Sequence, residues 1–237
     1  MKYFAAVISA IFAVVFAVLC GFVAWREYGL WVIAVSAAMV LSLPLSSLLH
    51  ELGHILFGAI CKIKAVPKFR LFGSSCCKLI PKTDKKLRVR LFFTALGGVL
   101  VNLAVPVVII FIVRYTAAPA WLIFLVPSNV YLLILNIFPA WFDSGKTDGL
   151  VCNDLLNNTD NAKVLLAVLT VQAQVLNGKP IEEVEEKLLF DLPQIREDDP
   201  AFISLSELRY EYFKAKGEEE KAELWKNRFE ELKKEYA

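Results

Sequence analysis

The sequence is poor in charge and in histidine, and its cysteines follow no recognisable pattern. Only 21% of the 237 residues are charged whereas 57% are hydrophobic, which argues against an ordinary soluble domain, where about a quarter are charged. The cysteines have no C-x-x-C spacing, so neither a disulfide framework nor a cysteine zinc site is indicated. They are Cys20, Cys61, Cys76, Cys77 and Cys152. With a net charge of only +2, we expect no nucleic-acid partner.

The small net charge hides a division of the chain into a basic front and an acidic back. Residues 1–143 carry 13 Lys and Arg against 4 Asp and Glu, whereas residues 144–237 carry 13 against 20. The front also contains the long apolar runs. This division predicts a transmembrane domain over residues 1–157 and a cytosolic helical domain over residues 158–237.

Four apolar runs are long enough to cross a hydrocarbon core about 30 Å thick, for which about 20 helical residues are needed. They are approximately Phe4–Trp25, Leu30–Ile60, Leu91–Val113 and Pro119–Ala140. The second run contains Pro44, which predicts a bent or interrupted helix. We therefore expect an all-α, multi-pass membrane protein with about four transmembrane helices in the lipid bilayer.

The segment between the second and third runs predicts the orientation. Cys61–Arg90 holds ten basic residues and one acidic residue, Asp84, so the positive-inside rule places this segment, both termini and the tail in the cytoplasm. Strand-like patterns at Lys68–Leu71 and Lys78–Ile80 flank a turn at Gly73–Ser75, which predicts a small hairpin at the membrane face. A solvated basic loop is the alternative.

The chain has only two histidines, and both lie within one turn of the second run. His50 and His54 are four residues apart, so on a helix their rings project from one face, as needed to hold one Zn²⁺ at about 2.0 to 2.1 Å. Glu51 follows the first histidine and is the expected catalytic base. Ionisable groups within a membrane run are costly and call for a function. The alternative is that both histidines are neutral packing residues.

This motif within a membrane run resembles the site-2 protease family of intramembrane zinc metalloproteases. In that family a later membrane helix brings an N-x-x-P segment followed by Asp-Gly, and the aspartate completes the zinc site. The similar segment here is Asn136 to Pro139, followed by Asp143 or by the pair Asp148 and Gly149. The resemblance covers about residues 30–157 and implies a zinc endopeptidase. The orientation predicted from the basic residues places its active site toward the cytoplasm.

Two carboxylates compete for the third ligand position. In the commonest family pattern the aspartate comes eight residues after the asparagine and directly before glycine, and Ser144 occupies that position here. Asp143 is one residue early, whereas Asp148 is four residues late and keeps the Asp-Gly pair. We favour Asp148 and keep Asp143 as the alternative. An Asp before an apolar run is also a common helix N-cap.

Two asparagines resemble residues of the same family. Asn102 ends the segment Gly97–Asn102, which is similar to a glycine-rich, asparagine-ending element on the family's intervening helix. Asn136 begins the N-x-x-P segment. The resemblance implies that Asn102 and Asn136 bind substrate. Small residues and an occasional Asn are, however, also ordinary at membrane helix interfaces.

The acidic tail has helical periodicity. Residues 161–177 carry an apolar stripe at helical spacing, formed by Val164, Val168, Val171 and Val175, which predicts a helix. Three more helices are predicted after Pro180, from Pro200 and after Gly217. We expect a small bundle that binds a cytosolic protein partner or restricts access to the site, or else a tail that only solubilises the chain.

The leading functional expectation is an intramembrane zinc endopeptidase that cuts membrane protein substrates in or near their transmembrane segments. The mismatch after Pro139 motivates an alternative, a catalytically inactive, protease-like membrane protein that binds clients through its tail. A metal transporter is a third possibility, because some transporters carry histidine and glutamate pairs in membrane helices. Only four spans and no further histidine count against it.

Overall fold

The computed structural model describes residues 32–68, 76–142 and 145–236, together with scattered positions between residues 7 and 29. The structure is mostly helical. Contacts divide the chain into two compact units. The first comprises Met1–Phe57, Ala65–Lys78 and Thr94–Leu150, and the second comprises Gly58–Lys64, Leu79–Phe93 and Val151–Ala237.

Two helices in the described part of the chain are long and apolar enough to cross a membrane. Helix α1 spans Val32–Ile60 and helix α2 spans Leu87–Tyr115. Each contains a proline, Pro44 in α1 and Pro106 in α2, yet each is one continuous helix. Helix α1 is therefore not interrupted at Pro44, and a bend at this residue stays a prediction.

The remaining predicted runs have different outcomes. The first run, about Phe4–Trp25, is described only at scattered positions between residues 7 and 22, which are helical. The fourth run forms a 3₁₀ turn over Ala120–Phe124 and helix α3 over Leu125–Ile137. Helix α3 ends there because Phe138 precedes a proline and takes the extended conformation. The whole apolar helical stretch, Trp121–Ile137, is shorter than α1 or α2.

Helices α1 and α2 touch backbone to backbone at a pair of glycines. A Cβ atom on Gly53 would lie 2.5 Å from the carbonyl oxygen of Gly97, and one on Gly97 would lie 2.7 Å from that of Gly53. Because no larger residue fits either position, the two glycines permit an unusually close helix contact. This contact lies one residue before His54 on α1.

The predicted hairpin is present, with a correction to its first strand. Strand β1 covers Ile63–Lys68 and pairs with strand β2, Cys76–Pro81, in a two-stranded sheet. The second strand confirms the prediction, whereas the first begins at Ile63 rather than at Lys68. Buried Ile63 and Ala65 alternate with exposed Lys64 and Val66, as in a strand with one covered face. Residues 69–75, including the predicted turn, lie outside the described residues.

A second, smaller hairpin follows helix α3. Strand β3, Trp141–Phe142, pairs antiparallel with strand β4, Gly145–Lys146, so that Phe142 faces Gly145. Helix α4 then begins and spans Asp148–Asn157. This hairpin accommodates the additional residues that separate Asp148 from the N-x-x-P segment.

Three of the four predicted tail helices are confirmed. Helix α5 spans Asp160–Leu176, helix α6 spans Pro200–Ala215, and helix α7 spans Glu219–Tyr236. Their apolar stripes form one buried cluster. Its largest fully buried members are Val164, Val171, Leu189, Leu205 and Tyr212.

The prediction of a helix after Pro180 is wrong. The chain instead makes two short 3₁₀ turns, Ile181–Glu183 and Glu186–Leu188, separated by extended backbone at Val184. An α-helix here would place like charges three and four residues apart, for example Glu182 beside Glu186, which destabilises helices. The apolar side chains still pack inward, since Val184 is buried in the tail cluster.

Candidate metal centre

The two histidines lie side by side on the face of α1 that packs near α2. Both side chains are buried, and their Nε2 atoms are 3.1 Å apart. The rings are nearly perpendicular, at 86°. Gly98 of α2 lies opposite them, and its missing side chain leaves space directly beside both Nε2 atoms.

The outer nitrogens of the two rings are held by α2. His54 Nδ1 donates a hydrogen bond to the carbonyl oxygen of Thr94 at 2.8 Å. His50 Nδ1 bonds to Oδ1 of Asn102. Because a carbonyl oxygen can only accept, His54 carries its proton on Nδ1, and a neutral ring then has a lone pair on Nε2. Such outer contacts are typical of histidines that bind metals.

Asp148 completes a cluster of three potential ligands. Its Oδ2 atom lies 3.0 Å from Nε2 of His50 and 3.4 Å from Nε2 of His54. Burial opposes ionisation of this carboxyl, but the charge of a protonated His54 and hydrogen bonds from both rings outweigh burial and lower the pKa of Asp148 to about 2. A bound metal ion would supply positive charge in place of that proton. The side chain is therefore a carboxylate at neutral pH, the form that binds cations.

Residues on either side of Asp148 explain its position. Thr147 Oγ1 accepts a hydrogen bond from the Leu150 amide at 3.2 Å and donates one to the Phe138 carbonyl at 2.7 Å. Thr147 is therefore the N-cap of α4, whereas Asp148, expected as a possible cap, is the first helical residue. A Cβ atom on Gly149 would lie 2.1 Å from the Ile137 carbonyl oxygen. Only glycine therefore permits α4 to start this close to the end of α3.

The three ligand atoms fit a zinc ion. Tetrahedral bonds of about 2.0 to 2.1 Å place ligand atoms about 3.3 to 3.4 Å apart, and the separations here are 3.1, 3.0 and 3.4 Å. Asp148 Oδ2 is buried, and Nε2 of both histidines lies within 3.4 Å of it. Two imidazoles and one carboxylate are typical ligands of a catalytic zinc ion, which retains a further position for water or substrate.

The expected catalytic base, Glu51, follows His50 in the sequence, and its side chain is buried. Its Oε2 atom accepts a hydrogen bond from the thiol of Cys77 on strand β2, at 2.9 Å. The hairpin thus reaches the carboxylate from outside helix α1. Sequence reasoning missed Cys77, because the two residues are separated by 26 positions and no motif connects them.

The two asparagines expected to bind substrate have different surroundings. Asn102 is fully buried beside the metal cluster, with Oδ1 at His50 and Nδ2 donating to Asn129 Oδ1 at 2.8 Å. Asn136 donates to the Leu132 carbonyl of its own helix at 3.0 Å. The alternative ligand, Asp143, lies outside the described residues.

Three further residues near the cluster were not singled out from the sequence. Thr147 had a detectable signal, since a threonine at the start of an apolar helix is a common N-cap. Gly98 lies in the glycine-rich segment Gly97–Asn102, where small residues by themselves indicate only helix contact. Asn129 had no signal, because an isolated asparagine in an apolar run follows no pattern.

No protein-family model, curated protein or solved structure matches the chain significantly. Its function must therefore be inferred from its own residues and their geometry.

Proposed function

We propose that this protein is an intramembrane zinc endopeptidase of the site-2 protease type. His50, His54 and Asp148 would hold the zinc ion, and Glu51 would serve as the catalytic base. The observation that carries the proposal is the convergence of two imidazole nitrogens and one carboxylate oxygen within 3.4 Å of one another. A buried cluster of two imidazoles and one carboxylate is costly unless a proton or a cation lies between these atoms.

The chemistry of peptide hydrolysis matches the residues available. Zinc, when bound, acts as a Lewis acid that polarises a carbonyl group and makes water more acidic. Glu51 accepts a proton from the attacking water while the oxygen of that water bonds to the scissile carbonyl carbon. Glu51 then delivers this proton to the leaving nitrogen as the C–N bond breaks, which yields a carboxyl and an amine product.

The proposed topology has four spans, with the metal cluster near the cytoplasmic side. Its support is the concentration of basic residues in Cys61–Arg90, which follows α1 directly. In this topology the acidic tail, with helices α5 to α7, is cytosolic. Water then reaches the site from the cytoplasm rather than through lipid.

The proposed substrates are membrane proteins that are cut in or near a transmembrane segment. A helical substrate protects its peptide bonds with its own hydrogen bonds, so it must first unwind. The two-stranded sheet of β1 and β2 has outer edges, and an extended substrate can pair with such an edge. The contact of Cys77 with Glu51 connects this sheet to the expected catalytic base.

The test measures zinc content and cleavage of a membrane reporter on the same purified samples. We expect Glu51→Gln to retain zinc and to lose activity by about 10² to 10⁴-fold, the usual contribution of a general base. Asp148→Ala should lose both zinc and cleavage. Asp143→Ala is the matched control, because it removes the competing carboxylate and should leave both measurements unchanged.

Each alternative function has its own result. Wild-type protein that binds zinc but cuts no membrane reporter would support the inactive, client-binding protein. Zinc uptake into vesicles without proteolysis would support a transporter. Full activity of Glu51→Gln would contradict the role of Glu51, and normal zinc content in Asp148→Ala would contradict the ligand assignment.

A further inference from the structure

Three helices of the first unit meet at a layer of buried polar side chains beside His50. Ser46 lies on α1 one turn before His50, Asn102 lies on α2, and Asn129 lies on α3. All three side chains are fully buried. Buried amides are costly in a membrane segment unless their N–H and C=O groups find partners. The partners therefore determine which way each amide faces.

The backbone carbonyl of Leu125 determines which way the side-chain amide of Asn129 faces. Asn129 Nδ2 donates one hydrogen bond to the Leu125 carbonyl oxygen and one to Ser46 Oγ, both at 2.8 Å. A carbonyl oxygen can only accept, so the nitrogen of this amide must face Leu125. The oxygen of Asn129 must consequently point the other way, toward Asn102.

Asn102 passes this orientation on to the metal cluster. Its Nδ2 atom donates to Asn129 Oδ1 at 2.8 Å, which leaves its Oδ1 atom facing His50 Nδ1. An amide oxygen can only accept, so His50 carries a proton on Nδ1 and presents Nε2 toward His54 and Asp148. If Asn102 turned over, its amide hydrogens would meet Nδ1 and favour the opposite tautomer.

We propose that Asn129 is a positioning residue which, through Asn102, holds His50 in the tautomer and orientation that present Nε2 to a metal ion. This inference rests on the proposed zinc site, and the hydrogen bonds of Asn129 run to Asn102, Ser46 and Leu125 rather than to the ligand atoms. Outer contacts of this kind usually change metal affinity by about 10- to 100-fold. Helix α3 thus supports the site through Asn129, in addition to leading into the segment that carries Asp148.

We call the hydrogen bonds from Asn129 through Asn102 to His50 the relay. The experiment first removes this relay and then makes it unnecessary. Asn129→Ala and the larger, apolar Asn129→Leu both eliminate the amide, so either variant tests the idea if the other fails to fold. Asn102→Asp provides the bypass, because either carboxylate oxygen can accept from His50 Nδ1 without help from Asn129. Ser128→Ala is the matched control. Ser128 is the buried neighbour of Asn129, and its hydroxyl contacts Ser42 rather than the relay.

Zinc affinity is measured on the full chain in detergent by competition with a chelator, and Co²⁺ absorption reports the ligand set. We expect the Asn129 substitutions to weaken zinc binding by about 10- to 100-fold in the wild-type background. In the Asn102→Asp background, the same substitutions should cause no loss of affinity. The carboxylate accepts from His50 without Asn129, and its second oxygen would face Asn129 Oδ1, which is also an acceptor. Ser128→Ala should bind zinc as the wild type does, with an unchanged Co²⁺ spectrum.

Two results would overturn the inference while the proposed function stands. The first is wild-type zinc affinity in the folded Asn129 variants. The second is an equal loss of affinity in both backgrounds, which would assign Asn129 a purely structural role. A wild-type chain that binds no zinc would instead refute the proposed function, and the inference with it.

Discussion

Gly98 offers the sharpest test of where a metal ion would lie. A Cβ atom at this position would be 2.6 Å from Nε2 of His50 and 2.6 Å from Nε2 of His54. A zinc ion would lie about 2.0 to 2.1 Å from the same atoms. The methyl group of Gly98→Ala would therefore enter the space that the ion needs, and both rings would have to turn away.

The size of the effect follows from the contacts that hold the rings. Turning them breaks the bonds of His50 Nδ1 to Asn102 and of His54 Nδ1 to the Thr94 carbonyl. Each buried bond that is left unmade costs about 1 to 3 kcal/mol. Two of them cost about 2 to 6 kcal/mol, so zinc affinity should fall by at least about 30-fold. Alanine in place of glycine within a helix otherwise favours folding by about 0.5 to 1 kcal/mol.

The assay compares Gly98→Ala with substitutions nearby on α2. Zinc affinity is measured by chelator competition, and thermal unfolding is followed by circular dichroism without zinc. Gly97→Ala should lower thermal stability, because its Cβ would meet the Gly53 carbonyl oxygen at 2.7 Å. Leu103→Ala, at a side chain 51% exposed, should leave zinc affinity unchanged. Wild-type zinc affinity in folded Gly98→Ala would refute the placement of the ion.

Two more predictions concern the start of helix α4 and the buried core of the tail. Gly149→Ala should displace Asp148 and reduce zinc content, because its Cβ would lie 2.1 Å from the Ile137 carbonyl oxygen; an unchanged zinc content would contradict this. Val171→Ala, at a fully buried position of the tail core, should lower the free energy of unfolding by about 2 kcal/mol without changing zinc content. Both free energies of unfolding are measured by denaturant titration. Leu224→Ala, at a side chain 63% exposed, should change the free energy of unfolding by less than about 0.5 kcal/mol.

The elements that could be predicted from sequence are those set by local periodicity. The tail helices α5, α6 and α7 follow from apolar spacing, and the juxtaposition of His50 and His54 follows from four residues on one helix. The segment after Pro180 shows the limit of this reasoning. Its apolar spacing suited a helix, but neighbouring glutamates and extended backbone at Val184 divided it into two 3₁₀ turns.

By itself, then, the sequence determined the two long apolar helices of the front half, the helical tail and the paired histidines, because each depends on residues close together in the chain. Only the tertiary structure brought Asp148 to these histidines, through the β3–β4 hairpin and the cap at Thr147. It alone also oriented His50 through Asn102 and Asn129. The physical reason is that ligand geometry depends on where separate helices meet, and the spacing of residues along one chain does not specify that meeting point.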